Sequence, residues 1–424
     1  MLPANLSYRN PQIEALTSYS PWEVSGSMRI LLLTNLYPRP HHETFAPFNR
    51  QQFHALVPEH ELRIIAPVSW TEEVRDRLSG RTSTYTRQTL DGVTVEHPLY
   101  WFPPKIAPHW YGQCFLWSVR KRVERVIREF APDLILSAWA HPDGWAASVL
   151  AQEAGLPSVV KVHGSDVLIN AKSGPRRREI ATGLQKASAV ITVSQDLKRR
   201  VIELGVDPAK VLVFLEGIDS EKFTPGCKSE AREKLRLPPD TRQILYVGNL
   251  LLSKGLGVLV EACKMLVSRS ESFQCRIIGR GRQESQIRNL IRAAKLDDHI
   301  ILMGPKPHSE LPDWYRASDL FVLPSFSEGI PNVLRESIAC GCPIVSTRVG
   351  GIPEIAHRDA GILVEPGDPE ALADALATML NNPRSSDQVC STAIHQTWAK
   401  TAQEMTELFQ SLHQRNVALE VGNS

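Results

Sequence analysis

Residues 321–352 read FVLPSFSEGIPNVLRESIACGCPIVSTRVGGI, from Phe321 to Ile352. The apolar run Leu320 to Leu323 predicts a buried strand, which Pro324 and the Ser325 to Gly329 cluster end in a tight turn. Pro331 suits the first turn of a helix, where its missing N–H costs nothing. Val333, Leu334, Ser337 and Ile338 then fall toward a sheet, and Gly341 with Pro343 stops the helix. Ile344 resumes as strand before the Gly350-Gly351 turn. Strand, loop, helix, strand is a parallel-sheet unit.

Two carboxylates in this unit differ in situation. Glu328 lies in the loop at the carboxyl end of the strand, and Glu336 two turns further along the helix. In an open α/β sheet a ligand occupies the crevice outside the strand ends, so Glu328 faces its reactive part and Glu336 a more distant hydroxyl. The N–H groups near Asn332, Val333 and Leu334 form an anion site between them. Polyhydroxyl, phosphate, polyhydroxyl is the layout of a sugar nucleotide. The plainer alternative is a surface glutamate and a helix glutamate paired with Arg335 or solvent. The strand-ending proline, the Gly329-Ile330-Pro331 turn and the downstream Gly-Gly turn favour the functional reading.

A chain of 424 residues is long enough for two α/β domains. Its net charge of +2 implies no general affinity for nucleic acid. The seven cysteines include no Cys-x-x-Cys pair, which fits reduced thiols and a cytoplasmic setting. No apolar run approaches the roughly 18 residues of a membrane span. Residues 1–27 are mostly polar and lack a basic start followed by an apolar stretch, so they read as a disordered leader, or as an upstream extension of a natural start at Met28.

Downstream, strands are predicted at Met28 to Leu33, Leu62 to Ala66, Val93 to His97, Leu134 to Ala138, Ser158 to Val162, Ala189 to Val193 and Val211 to Leu215. The second half repeats the rhythm at Gln243 to Val247, Cys275 to Ile278, Ile300 to Met303, Leu320 to Leu323 and Ile344 to Ser346. Helices are expected over Phe45 to Val57, after Ser194, over Val258 to Leu266 and Asp368 to Leu380, and around Gln396 to Leu412. The alternation means βαβ units, with a boundary near Asp219 to Pro238. Two such domains also suit a dehydrogenase, but the Gly279-Arg280-Gly281 turn has Glu284 where a third glycine belongs, and it stands in mid-domain.

With these motifs in order, the chain resembles the retaining glycosyltransferases of family 4, also called group 1 glycosyltransferases, of the GT-B fold. The resemblance rests on Val162-His163-Gly164-Ser165-Asp166, Gly217-Ile218-Asp219 with Phe223-Thr224-Pro225, Val247-Gly248-Asn249-Leu250 with Lys254-Gly255, Ile278 to Gly281, Ser325 to Glu336, and Gly350 to Glu354. It implies an α/β fold of two Rossmann-like doubly wound domains facing across a cleft. These are an N-terminal acceptor domain at 28–222 and a C-terminal nucleotide-sugar domain at 223–395, with a helix and tail at 396–424 packing back on the N-terminal domain.

The resemblance also implies roles. Glu328, Lys254 and His163 would carry catalysis. Glu328 would meet hydroxyls of the donor sugar, beside the backbone of Gly329 to Leu334, and Glu336 the nucleotide ribose. Lys254, near Gly248 and Asn249, would pair with the diphosphate, and the backbone of Gly279, Arg280 and Gly281 would approach the base. His163 would reach toward the transferred sugar, with Asp166 and Thr44 on the acceptor side. The family generally needs no metal or other cofactor, and no Asp-x-Asp stands in the loops, so Lys254 would take the place of magnesium. The expected donor is a UDP- or GDP-sugar rather than an ADP-sugar. Adjacent His41 and His42 point opposite ways in an extended loop and are assigned no metal.

Three positions depart from the family pattern. Asn249 stands where arginine is frequent, so Arg282, Arg348 or another cation must compensate, or leaving-group stabilisation is weaker. Glu216-Gly217 replaces an Asn-Gly turn. His41 to Thr44 replaces a glycine in the first loop. Plain alternatives stand beside the assigned roles: Lys254 as a solvated lysine, His163 as a turn histidine bonded to its neighbour.

The implied reaction is sugar transfer to an acceptor hydroxyl with retention, in polysaccharide or glycolipid synthesis at the cell surface. Glu328 is a nucleophile by analogy with retaining hydrolases; the resemblance implies instead a same-face route in which the departing phosphate takes the acceptor's proton. Trp101, Phe102, Ile106, Trp110, Tyr111 and Trp117 precede a helix bearing Arg120, Lys121, Arg122, Arg125 and Arg128, and Arg176 to Arg178 follow. Aromatic loops beside basic helices suit an anionic membrane at the inner face of the plasma membrane and a lipid-linked saccharide acceptor. Core aromatics beside a solvated face account for them equally well. Another GT-B enzyme, such as an epimerase or phosphorylase, and a catalytically silent binding protein remain as competing classes.

Overall fold

The computed structural model describes residues 26–39, 41–42, 45–81, 87–103, 110–168 and 174–422. The leader up to residue 25, Thr44 and Ile106 lie outside the described residues. The first unit's strands are β1 (Arg29–Leu33), β2 (Glu61–Ile65), β3 (Val68–Ser69), β4 (Arg87–Leu90), β5 (Val93–Glu96), β6 (Leu99–Tyr100), β7 (Leu134–Ser137), β8 (Ser158–Lys161), β9 (Ala189–Thr192) and β10 (Val211–Val213); all but β3, β4 and β6 fall on the expected apolar runs. Eight of them form one sheet in the order β10-β9-β8-β7-β1-β2-β5-β4, while β3 and β6 pair separately. All neighbours in the large sheet are parallel except β4 against β5.

A parallel sheet is covered on both faces, which is why β1 is apolar without alternation. Ile30 and Leu32 pack with Phe53 and with Met405, Leu408 and Phe409 of the last helix, Trp398–Gly422. Leu31 and Leu33 face the other way, against Phe115, Val119 and Val123 of the helix Tyr111–Phe130. The last helix is therefore part of the first unit's core. His60 bridges to it, with Nδ1 accepting from Met28 N at 3.2 Å and Nε2 2.8 Å from Thr406 Oγ1.

The second unit holds β11 (Arg242–Val247), β12 (Phe273–Ile278), β13 (Ile300–Gly304), β14 (Leu320–Leu323), β15 (Ile344–Thr347) and β16 (Gly361–Val364). They run in the order β13-β12-β11-β14-β15-β16 and are all parallel. By contact the described chain divides into this unit, Ile218–Thr397 with Ser194–Asp196, and a first unit holding the rest. Each sheet is doubly wound. The order reverses between β1 and β7 in the first and between β11 and β14 in the second, and ligands bind at such points.

Periodicity did not reveal β4, although Asp91-Gly92 marks its hairpin with β5. Both turn residues have positive φ, 50° and 81°, as a two-residue hairpin turn requires. The helix expected over Phe45 to Val57 is shorter, at Pro47–His54, and the last is longer, at Trp398–Gly422. Among the described residues no helix is long and apolar enough to cross a membrane.

Candidate functional site

In the second unit the loops after β11 and β14 meet where the strand order reverses. Lys254 ends a short 3-10 turn, and Gly255 follows with φ 75°. A Cβ on Gly255 would lie 1.8 Å from the Pro324 carbonyl oxygen, so only glycine lets the two loops come this close. Gly350, with φ 53°, does the same on the other side, where a Cβ would lie 1.9 Å from the Glu328 carbonyl oxygen. Between these contacts Lys254 Nζ donates to both oxygens of Glu328 at 2.7 and 2.8 Å, and Ser325 Oγ donates to Oε1 at 2.6 Å. The Glu328 side chain is 9% exposed and that of Lys254 26%. Lys254 is thus not an ordinary solvated lysine. Its ammonium neutralises a nearly buried carboxylate and is still reachable from solvent.

Glu336 is buried on the helix Asn332–Ala339, with Leu334, Ser337 and Ile338. Its oxygens are held by His308 Nε2 at 2.8 Å and by the Tyr315 hydroxyl at 3.1 Å. The hydrogen bond to Glu336 raises the His308 pKa against the opposing effect of burial. The anion site expected at the start of this helix needs a correction. Leu334 N–H is donated to the Pro331 carbonyl at 3.1 Å, closing the first turn, and does not face outward.

The Gly279 to Gly281 turn is tied to the β11 loop by main-chain bonds, Gly248 N to Ile278 O and Leu250 N to Arg280 O, both 3.0 Å. Asn249 is exposed beside it, as are Arg280 and Arg282. Arg348 Nε lies 3.4 Å from Glu365.

In the first unit, Asp166 is fully buried and accepts from the backbone of Ala140 at 3.0 Å, Gly164 at 2.8 Å and His163 at 3.1 Å. Asp166 therefore builds the turn and does not bond the His163 ring. The ring bonds Glu216 instead, with Nδ1 3.1 Å from Oε1. The same oxygen accepts from Lys161 Nζ at 2.8 Å, and Lys161 also donates to Gln52 Oε1. Burial alone pushes the Glu216 carboxyl up, but Lys161 and His163 outweigh it and hold it below the usual carboxylate range. Burial lowers Lys161 against the pull of Glu216.

Asp143 also lies at the strand-order reversal of this sheet. It accepts from Asn35 N at 2.7 Å and Thr34 Oγ1 at 3.1 Å, tying the end of β1 to the start of the helix Trp145–Glu153. Complete burial pushes its carboxyl up to about 7. Sequence reading missed Lys161 and Asp143, and noted Glu216 only as a departure from the family pattern without a role. A lysine inside the apolar run Ser158 to Val162 and the His-Pro-Asp-Gly run at 141–144 were the available signals.

Trp101, Trp110 and Trp117 are half or more exposed, whereas Tyr100 and Phe115 beside them are buried. Trp101 stacks on Trp70, and Trp110 meets Trp117 edge to face. The basic helix is less free than its composition suggests. Arg120 binds Glu153, and Arg122 and Arg125 bind Glu96.

Comparison with known proteins adds an independent line. Residues 54–222 match the model of Glycosyltransferase Family 4, and residues 228–396 that of Glycosyl transferases group 1. The "Putative teichuronic acid biosynthesis glycosyltransferase TuaC" of Bacillus subtilis (strain 168) is 30% identical over 370 residues, 82% of this chain and 88% of the relative. A D-inositol 3-phosphate glycosyltransferase of Pseudarthrobacter chlorophenolicus is 31% identical over 65% of this chain and 71% of its own length. Among solved structures, the sucrose-phosphate synthase of Thermosynechococcus elongatus superposes with a TM-score of 0.75 at 19% identity, over 92% of this chain and 100% of that one. Anabaena HepE in complex with UDP gives 0.65 at 18% identity, over 94% and 100%.

Proposed function

The chain belongs to the family 4, group 1 glycosyltransferases of the GT-B fold, and from that premise we propose that it moves a sugar from a nucleoside-diphosphate sugar to an acceptor hydroxyl with retention of configuration. The observation that carries this reading is the Lys254 ammonium against Glu328 where the second sheet reverses its strand order. An ammonium has three N–H groups, so Lys254 keeps one on Glu328 while the others meet a diphosphate. The bond from the anomeric carbon to the diphosphate oxygen breaks with its electron pair on that oxygen. The acceptor oxygen bonds to the carbon on the same face, and its proton goes to the departing phosphate.

Lys254 supplies the charge that stabilises the leaving group, in the role a divalent cation has elsewhere. Glu328 positions donor hydroxyls; with its oxygens accepting from Lys254 and Ser325, it is a poor nucleophile. Glu336 takes the ribose and the Gly279 to Gly281 backbone the base. Arg282, exposed on the turn bonded to Leu250, replaces the cation missing at Asn249, since Arg348 is engaged by Glu365. The donor is of the UDP or GDP type; HepE, a fold neighbour, has been captured with UDP.

The acceptor is a saccharide or lipid-linked saccharide of a surface polymer, a reading supported by the teichuronic acid relative. The exposed tryptophans give the chain a peripheral membrane contact through aromatic side chains rather than through its paired arginines. Trp101→Ala with Trp117→Ala is expected to abolish co-sedimentation with anionic vesicles; unchanged co-sedimentation rejects that contact.

Calorimetric titration of UDP, GDP and ADP, with EDTA present, tests the donor assignment. Saturable binding of UDP or GDP, weakened in Glu336→Ala, is expected. Glu336→Gln serves as the control that keeps a partner for Tyr315 and His308. No binding of any of the three at millimolar concentration overturns the reading in favour of a silent protein. Release of free nucleotide only when acceptor is present separates transfer from epimerase or phosphorylase chemistry.

A further inference from the structure

One charged cluster in the first unit is not used by the transfer reading above. Lys161 ends β8 with its side chain 1% exposed, and Glu216, beyond β10, meets it in the interior. The His163 ring rests against Glu216 on one edge and against Phe48, 5.2 Å away between centroids, on another. Its backbone is pinned by Asp166. Nε2 is buried and has no hydrogen-bond partner among the described residues.

Chemistry fixes what the ring does here. A carboxylate only accepts, so the hydrogen must sit on Nδ1, and in the neutral ring Nε2 keeps a bare lone pair. A carboxylate alone would also draw a second proton onto the ring, turning Nε2 into a donor. Lys161 opposes that field, since its ammonium shares the same Glu216 oxygen. The other carboxylate facing the turn, Asp166, is occupied by three backbone N–H groups. Of the two tautomers, the one with Nδ1–H and an accepting Nε2 is the one these partners favour.

We propose that Glu216, balanced by Lys161, is a positioning residue that locks His163 as its Nδ1–H tautomer, so that Nε2 accepts a hydrogen bond from a hydroxyl of a sugar substrate. The choice of a sugar hydroxyl rests on the transferase reading above; the tautomer lock does not. Glutamate at position 216, where the family pattern has asparagine, thereby makes the histidine an obligate acceptor. An asparagine there could donate its amide to Nδ1 and place the hydrogen on Nε2 instead.

NMR of the imidazole nitrogens in the full chain, above the ordinary histidine pKa of about 6.5, reads the tautomer directly. The wild type is expected to show His163 as a single Nδ1–H form. Glu216→Asp, which keeps a carboxylate that can only accept, should retain much of it. The doubly neutral Lys161→Met/Glu216→Leu, which leaves no unpaired charge inside, should revert toward Nε2–H. In transfer assays that double variant should lose about tenfold in kcat/KM, the worth of one neutral hydrogen bond, and Glu216→Asp should keep most of the wild-type value. Nucleotide binding should be unchanged in both. An Nε2–H ring in the wild type, or a double variant with wild-type tautomer and kinetics, overturns the proposal. An Nδ1–H ring in a protein that binds no nucleotide upholds the lock and removes the transferase reading instead.

Discussion

The turns at the ends of β8 and β14 each hold a lysine against a glutamate, and they hold them in opposite ways. In the first unit Lys161 and Glu216 are sealed in, each satisfied by groups that cannot leave. In the second, Lys254 closes on Glu328 but keeps a face toward solvent. A sealed pair has no charge left to offer and can only orient its neighbours. A half-open pair can hand part of its charge to a ligand without losing its partner. The same two residue types thus serve geometry in one sheet and electrostatics in the other, and burial decides which.

The largest effect that would test this contrast is on stability. Lys161→Met leaves the Glu216 carboxylate buried without its cation and is expected to cost about 3–5 kcal/mol, read from urea unfolding midpoints. Adding Glu216→Leu should restore most of that loss, because two buried charges are replaced by apolar volume. A Lys161→Met protein as stable as the wild type would erase the distinction between the two turns.

Lys254→Ala should behave the other way round. Turnover is expected to fall about 10²–10³-fold, the loss seen when a group that stabilises developing charge is removed. Stability should change by only about 1 kcal/mol, since water reaches the vacated position. Near-normal turnover would remove Lys254 from the mechanism.

The smallest effect concerns Glu336 and His308. The His308 pKa is raised in the folded protein, so the pair's contribution is fully present below the unfolded value of about 6.5 and is lost as pH rises through the folded value. The His308 side chain is 42% exposed, so solvent screening holds this to at most about 1 kcal/mol. His308→Gln should therefore match the wild type in unfolding midpoint at about pH 9 and fall below it at about pH 5.5. A gap that widens with rising pH would reverse the assignment of the charged partner.

Strand positions, and the place of Glu328 in the loop after β14, were legible in the sequence because they depend on local pattern, whereas Lys254 was singled out only by the family resemblance. Apolar runs mark buried parallel strands, and glycines mark where loops approach. Partner identity was not legible where it crosses the sheet. Nothing near Lys161 points to Glu216, 55 positions later, because their meeting depends on how β8, β9 and β10 are ordered. The bare presence of lysine in a buried strand did announce that some acceptor must exist. Glu336 was read as a ligand contact, and its second occupation by Tyr315 and His308 was hidden for the same reason. The departure at Glu216, opaque as a letter in a turn, becomes interpretable only beside the His163 ring.

The last helix carries a consequence for synthesis. Met405, Leu408 and Phe409 complete the core around β1, at about 1.5–3 kcal/mol of burial each, yet they follow the whole second unit in the chain. On the ribosome the second unit, Ile218–Thr397 with Ser194–Asp196, emerges entire before they do. The first unit, although begun first, waits with one face of its sheet only partly covered, by Phe53 and its helix, until its final turns are made, so the order of translation and the order of completion run in opposite directions.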